Sequence, residues 1–431
     1  MATTTKPGTS GSERSSVKTR ATVPGFSSRW FLLGVLTLFS TFGAATVWWG
    51  FTAYYDPLIE EFGWSHTEVS FSAALQATES GLGAIFAGLL FQRLGARKIV
   101  IGGALLMTFG FLLLSRVSNL PTFYLSYVLL GLGVTTSGSA VMLPIISRRF
   151  QDRVALSFGL FSVSGGAGGF ALPFIAKLLD SIGFRKTFVI FALVAFVLGL
   201  GVATVLQDAK QPSWPAPGEK ALSARNTRSS SLEKPRFREM LRSRVLWVLI
   251  AFFVAHFIAL QMLTAHVMPF LESIGYGRGT AARMAMAVPA LSLVGRIGFG
   301  WIGERFNHLY VIAGAVFLSA VALGGLAITA PGMAVMFFLG LFAVSHGLLV
   351  PGRATILADY FEASYFAAML GFMVGIGSFA GMLGPVGGGW LYDLTGTYRT
   401  PLLISSAALL VAASLLISSS QLRDRLSMQE K

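Results

Sequence analysis

Twelve stretches of this chain are long and apolar enough to cross a bilayer, and that repetition restricts the fold more than any other feature. A hydrocarbon core demands about 20 consecutive apolar residues per helix. The stretches run 30–54, 68–91, 97–116, 121–146, 154–178, 185–207, 244–270, 280–302, 308–329, 332–352, 364–391 and 400–421. Backbone groups in lipid must be satisfied internally, so segments of this kind form helices. Only 12% of residues are charged against 54% hydrophobic, roughly half the charged share of a soluble domain. The 49 glycines allow close helix approach, and the aromatics suit membrane interfaces. The expected fold is an all-α membrane protein with twelve transmembrane helices in two pseudo-symmetric six-helix bundles.

One long polar segment interrupts the spans. Asp208–Arg244 carries Pro212, Pro215, Pro217, several Ser and nine Lys/Arg, and divides the spans six and six. The expected organisation is a disordered cytoplasmic tail (1–29), an N-terminal bundle (30–207), a cytoplasmic linker (208–243), a C-terminal bundle (244–421) and a cytoplasmic tail (422–431). Most of the 33 Lys and Arg fall in the tails, the linker and alternate loops, Arg353 being assigned to one of those loops. By the positive-inside rule both termini are cytoplasmic in a multi-pass plasma-membrane protein. The net charge of +14 then meets anionic lipid head groups rather than nucleic acid. The first apolar run begins at Trp30, is of span length and is followed by further spans, so it does not read as a cleaved signal. The absence of Cys excludes disulfides and thiolate metal sites.

The halves repeat. A shift of 212 residues lays Gly159, Gly165, Gly169 and Pro173 on Gly371, Gly377, Gly381 and Pro385, and Gly88 and Arg93 on Gly300 and Arg305. Phe150 and Asp180 fall within one position of Phe361 and Asp393. Six coincidences at one offset indicate a duplicated six-helix unit. Parallel repeats about an axis along the membrane normal place a substrate near the midplane between halves.

Two loops carry a family resemblance. Gly88-Leu-Leu-Phe-Gln92-Arg93-Leu-Gly95-Ala-Arg97-Lys98, between spans 2 and 3, resembles the signature loop of the major facilitator superfamily. Gly300-Trp-Ile-Gly-Glu304-Arg305 is its second-half counterpart. The resemblance implies a cytoplasmic gate built from Gly88, Gln92, Arg93, Gly95, Arg97, Glu304 and Arg305. Gln92 stands where the signature has an acid, so it hydrogen-bonds without charge assistance. Within that superfamily the chain looks most like the monocarboxylate porters and the oxalate/formate antiporter group. The residues that carry this are Glu61-Phe62-Gly63-Trp64-Ser65, Arg148-Arg149-Phe150 with Arg153, Gly295-Arg296-Ile-Gly298, and Gly387-Gly388-Gly389-Trp390-Leu391-Tyr392-Asp393.

Arg296 is the leading functional candidate. A charge in mid-span costs about 2.5–3.5 kcal/mol on insertion scales, so it faces a cavity or a partner. Its planar guanidinium matches a carboxylate, and in the porters that the chain resembles an Arg at this motif position binds the substrate carboxylate. A structural Arg tied to backbone carbonyls is the alternative. Those porters often carry an Asp one turn earlier, where this chain has Ser292, and neither span 1 nor span 11 contains a Lys. Glu79 in span 2 is a candidate proton carrier or a hydrogen-bonded packing residue. His256, mid-span, is a candidate for substrate binding and proton coupling. His266, toward the outer end of span 7, reads as facing water. His256, His266 and His346 are too scattered for a metal site, and no cofactor is expected. Tyr54 and Tyr127 are candidates for the wall around the substrate's apolar part. Trp48 and Trp49 read as interface anchors, and Lys177 as a snorkelling residue.

The expected function is secondary active transport of a small organic anion, a monocarboxylate by the resemblance, with proton or counter-anion coupling in a chain that works as a monomer. One competing reading is export of a neutral or cationic drug-like compound, in which Glu79 outweighs Arg296. Another is a membrane sensor that binds ligand without moving it. Linker and tail are too short to hold a signalling domain. No nucleotide loop, catalytic triad or paired catalytic carboxylates occur, so an enzyme is not expected.

Overall fold

The computed structural model describes residues 26–76, 90, 94–150, 153–206, 244–360 and 363–429. The chain is helical with no strand among the described residues, and the helices form two six-helix bundles. Among the described residues, ten helical stretches have the length and hydropathy of a membrane crossing. One of them, Leu156–Val205, holds two spans back to back, broken at Gly183 (φ 77°). Of span 2, only 68–76 and residue 90 are described.

The first crossing shows how local chemistry shapes the path. Helix α1 (Phe26–Gly43) widens into a π-helical turn, Ala44–Trp49, before α2 (Phe51–Phe62). A π turn disturbs the i→i−4 ladder and occurs mostly at functional sites. Here the Tyr54 hydroxyl donates to the Thr46 carbonyl at 2.7 Å, and Trp49 Nε1 donates to the Gly165 carbonyl at 2.8 Å. Gly63 (φ 65°) ends α2 in the left-handed conformation, its N–H bonding Ile59. Ser65 and Glu68 then cap helix α3 (66–76) reciprocally: Ser65 N–H donates to Glu68 Oε2 at 2.8 Å, and Glu68 N–H to Ser65 Oγ at 3.1 Å.

The turns sort onto two faces. The start of α1, the residues flanking 207–243 and the end of the last helix share one, called the near face. The turns at Gly63, Gly183, Gly275, Gly332 and Gly396 mark the far face. Gly95 (φ 84°) makes the turn between spans 2 and 3 on the near face, with backbone angles almost equal to those of Gly183. The flanking sequences correspond, Leu94-Gly95-Ala96-Arg97-Lys98 with Ile182-Gly183-Phe184-Arg185-Lys186. The first half therefore carries an inverted echo of its own turn chemistry.

Small residues set the helix crossings. Span 8, the helix Ala287–Gly303, meets span 10, the helix Met333–Tyr360, where Gly295 lies on Val344 O and Gly347 on Ser292 O, with no room for a side-chain carbon. In the first half Gly133 packs on Gly103 and Met107. Gly166 and Gly169 of span 5 lie against Leu293 and Pro289 of span 8, across the boundary between halves. Close backbone approach of this kind carries helix association where no hydrophobic force operates.

Candidate functional site

Arg296 follows Gly295 in span 8. Pro289 and Leu293 on the same helix point into the other half, against Gly169 and Gly166. Arg296 is seven residues past Pro289 and three past Leu293, so it continues that face one turn nearer the near face. The side chain is half-buried, and its Nε is buried without a hydrogen-bond partner. Among the described residues no carboxylate pairs with it. Among the described residues no backbone oxygen bonds that Nε. Ser292, in the position of the usual acid, bonds the Pro289 carbonyl at 2.8 Å.

Three further basic groups lie in the same half. His256 Nε2 and His346 Nδ1 are 3.1 Å apart, with their rings stacked at 5.4 Å. Arg353 places its guanidinium over the Phe253 ring at 5.5 Å. A small cavity lies between them, lined by Phe253, His256, Phe257, His346, Val350 and Arg353 among others. The helices that carry Arg296 and Arg353 touch backbone to backbone at Gly295 and Gly347. The sequence reading missed Arg353 by ending span 10 at 352. The helix continues to Tyr360, and the burial of Ile356 and Leu357 shows the apolar period resuming past Pro351 and Gly352.

A second, narrow space lies between halves, lined by Trp48, Phe51, Ala73, Gln76, Gln261, Thr264, Ala265 and Pro385. Trp48 and Trp49 are thus turned toward the centre and span 5 rather than anchored at an interface. Tyr54 and Tyr127 are fully buried in the first half, where Tyr54 packs on Phe188 and Tyr127 on Phe51 and Phe123.

The far face is shut. Among the described residues, the hydrogen bonds and ion pairs that join the halves all lie there. Asp393 accepts from the His66 and Thr67 N–H groups at 3.0 and 2.9 Å, capping span 2 from across the boundary. Arg278, at the start of span 8, donates to Asp180 at 2.8 Å and to the Ala53 carbonyl, and pairs with Glu272 at 3.6 Å. Met268 N–H donates to Thr52. His266, expected to face water, is instead buried here, bonding the Pro385 carbonyl at 2.9 Å. Burial, with Glu272 and Glu60 nearby, pushes the Asp56 carboxyl up to about 7, against the opposing pull of Arg278. Burial lowers the His66 imidazole despite the Asp393 carboxylate. The signal for this lock was in the sequence: the shift of 212 that pairs Asp180 with Asp393 within one position also carries His66 onto Arg278.

On the near face Gly95 starts its helix in a left-handed turn and Arg97 is exposed. Glu304 and Arg305 are exposed, with Arg305 over the Trp301 ring at 4.1 Å. Glu79, Gly88, Gln92 and Arg93 lie outside the described residues. No group of three metal-ligating side chains occurs among the described residues.

Residues 37–348, well over half of the chain, match the Major Facilitator Superfamily. The chain belongs to that superfamily. As a major facilitator it is a multi-pass membrane transporter, not an enzyme. It is 27% identical to monocarboxylate transporter 12 of Mus musculus over 402 residues, 85% of this chain and 79% of that protein. It is 25% identical to the gentisate transporter of Corynebacterium glutamicum, over 78% of this chain and 75% of that one. In fold it is similar to the inward-facing, occupied structure of a bacterial homolog of the human lysosomal transporter Spinster. That match has a TM-score of 0.73 at 16% identity, over 91% of this chain and 97% of the other. The nucleoside transporter NupG gives 0.73 at 13% identity, over 90% of this chain and 99% of that one.

Proposed function

We propose that this facilitator is a secondary transporter of a small organic anion, held through a carboxylate on Arg296. One observation carries the reading: a guanidinium in mid-span lies on the helix face directed at the other half, without an acid partner among the described residues and with Nε buried and unbonded. A buried guanidinium left without an acid is costly, and a ligand carboxylate supplies the missing partner. The names of the relatives support the same chemistry, since both monocarboxylates and gentisate present a carboxylate.

In this reading the near face is cytoplasmic, by the concentration of Lys and Arg around it, and the protein sits in the plasma membrane. With the far face bonded shut, the molecule stands inward-facing. Transport proceeds as the half 30–207 rocks against 244–421 about the crossing of spans 5 and 8. On the near face Gly88, Gln92, Arg93, Gly95, Arg97, Glu304 and Arg305 latch the opposite state. Protons or a counter-anion drive the cycle, with Glu79 and His256 as candidate proton carriers, and one chain suffices. Tyr54 and Tyr127 support the helices that line the path.

The test is uptake by purified protein in liposomes, using labelled lactate, pyruvate, formate and oxalate with and without a pH gradient. Arg296→Gln is expected to abolish carboxylate uptake while leaving the protein folded. Full uptake by that variant overturns the reading.

A further inference from the structure

We propose that an anionic phospholipid of the far-face leaflet binds in the groove between spans 5 and 8 and holds the far face shut. Its phosphate lies on Lys177 and Arg283, and an acyl chain lies on Phe174. The proposal goes beyond the transport reading and does not rest on the Arg296 site.

The groove crosses the boundary between the halves. Pro173, Phe174, Lys177 and Asp180, at the end of span 5, form one wall, and Gly279 and Arg283 of span 8 form the other, around a space of about 500 Å³. Phe174 and Lys177 are three residues apart on one helix, so they share a face, and both are exposed.

Depth brings the two cations to head-group level. Span 5 reaches the far face at Asp180 and span 8 leaves it at Arg278, and those two side chains meet at 2.8 Å. Lys177 is three residues to the membrane side of that pair and Arg283 five, about 4.5 and 7.5 Å at 1.5 Å per helical residue. Phe174 lies one turn deeper on span 5, with 77% of its surface exposed. Cations outside an exposed aromatic ring match the order of a phospholipid, phosphate outermost and hydrocarbon beneath it.

Charge selects an anionic occupant. Lys and Arg are scarce on the far face, yet two of them line this groove, and neither pairs with a carboxylate among the described residues. The acid in the wall, Asp180, is already neutralised by Arg278. Arg283 is held in place: its Nη2 donates to Thr280 Oγ1 at 3.1 Å, and its Nη1 lies close to Gly279, where no side chain intervenes. Its remaining N–H groups are left for a phosphate oxygen.

The apolar floor distinguishes a lipid from a free anion. Phosphate from solution satisfies the two cations but leaves Phe174 and Pro173 uncovered, whereas an acyl chain covers them. The two walls belong to different halves, so the groove keeps this shape only while spans 5 and 8 are drawn together at the far face. A ligand that binds only that arrangement stabilises it. The lipid thus adds to the Asp180–Arg278 contact in favouring closure.

The experiment uses full-length protein in liposomes of phosphatidylcholine with and without phosphatidylglycerol. Gln261→Cys supplies a single thiol in the central space, and an impermeant maleimide applied from the far side reads how often that face opens. Phosphatidylglycerol is expected to slow labelling by about fivefold. Adding Lys177→Gln and Arg283→Gln together is expected to remove the lipid effect, and Phe174→Ser to weaken it to about twofold. Arg116→Gln, elsewhere on the far face, is expected to keep it in full. Inorganic phosphate added to phosphatidylcholine liposomes is expected to change nothing. Equal rates in the two lipids overturn the proposal, as does a full effect in the double variant or in Phe174→Ser. Loss of the effect in Arg116→Gln assigns it to the general charge of the face and overturns the groove. Slowing by inorganic phosphate alone makes the occupant a free anion and overturns the lipid. If the double variant does not fold, Lys177→Gln alone and Phe174→Ser decide by the same criterion.

Discussion

The Asp180 carboxylate and the Arg278 guanidinium meet at 2.8 Å across the boundary between the two halves. The repeat offset carries this pair onto Asp393 and the start of span 2, where the carboxylate takes two backbone N–H groups instead of a guanidinium. Two carboxylates at the ends of spans 5 and 11 thus hold the starts of spans 8 and 2, and the far face is locked by a pseudo-symmetric pair of contacts.

Removing either contact shifts the balance toward a far-face-open state. The chain has no Cys, so Gln261→Cys in the central space gives a unique label. Asp180→Asn and Asp393→Asn are each expected to raise the labelling rate from the far side by about fivefold or more, as loss of one charge-assisted hydrogen bond allows. An unchanged rate in both variants shows that the lock lies elsewhere.

Asp56 makes that lock pH-dependent. Its carboxyl stands near 7 with the far face closed and returns toward the ordinary range of about 4 when opening exposes it. The closed state therefore binds the proton more tightly. Closure is favoured as pH falls below about 7 and penalised as pH rises through it. Normalised to the reaction of the same thiol in unfolded protein at each pH, labelling from the far side should be slower at pH 6 than at pH 8, and Asp56→Asn should flatten the difference. A profile unchanged by that substitution assigns the titration to another group.

Arg296 is expected to matter for binding far more than for folding. Arg296→Gln should reduce carboxylate uptake by about a hundredfold, with Arg296→Lys between it and the wild type, because a point charge replaces a bidentate fork. Thermal unfolding should change little. A large loss of stability with retained uptake points to a structural role.

Gly295 and Gly347 set how closely spans 8 and 10 approach. Gly295→Ala places a methyl on the Val344 carbonyl, and overpacking of this kind costs about 1–3 kcal/mol. The expected result is a lower melting midpoint and impaired uptake, because Arg296 is displaced with its helix. A wild-type midpoint shows that the two helices separate without penalty.

The repeat, the spans and the mid-membrane Arg296 were legible because each rests on a local or periodic signal. A run of apolar residues long enough to cross lipid leaves a backbone no option but helix, and a duplicated unit keeps its small residues in register. Span ends were less legible, since a helix continues past the last apolar run when its polar residues find cover. Arg353 shows this: it reads as a loop residue after Pro351-Gly352, yet the helix carries it on beneath span 7. His266 and the two tryptophans differ for another reason: their depth along a helix is clear from the sequence but their direction is not.

By itself the sequence determined an all-helical membrane chain of two related halves with one guanidinium in mid-span. Only the tertiary structure decided which side chains share a space: His256 with His346, Arg353 beside them, Asp180 with Arg278 and Asp393 with span 2. The physical reason is that hydropathy depends on composition along the chain. Pairing across helices depends on the rotation and depth of each helix, which are set by the glycine contacts between helices distant in sequence.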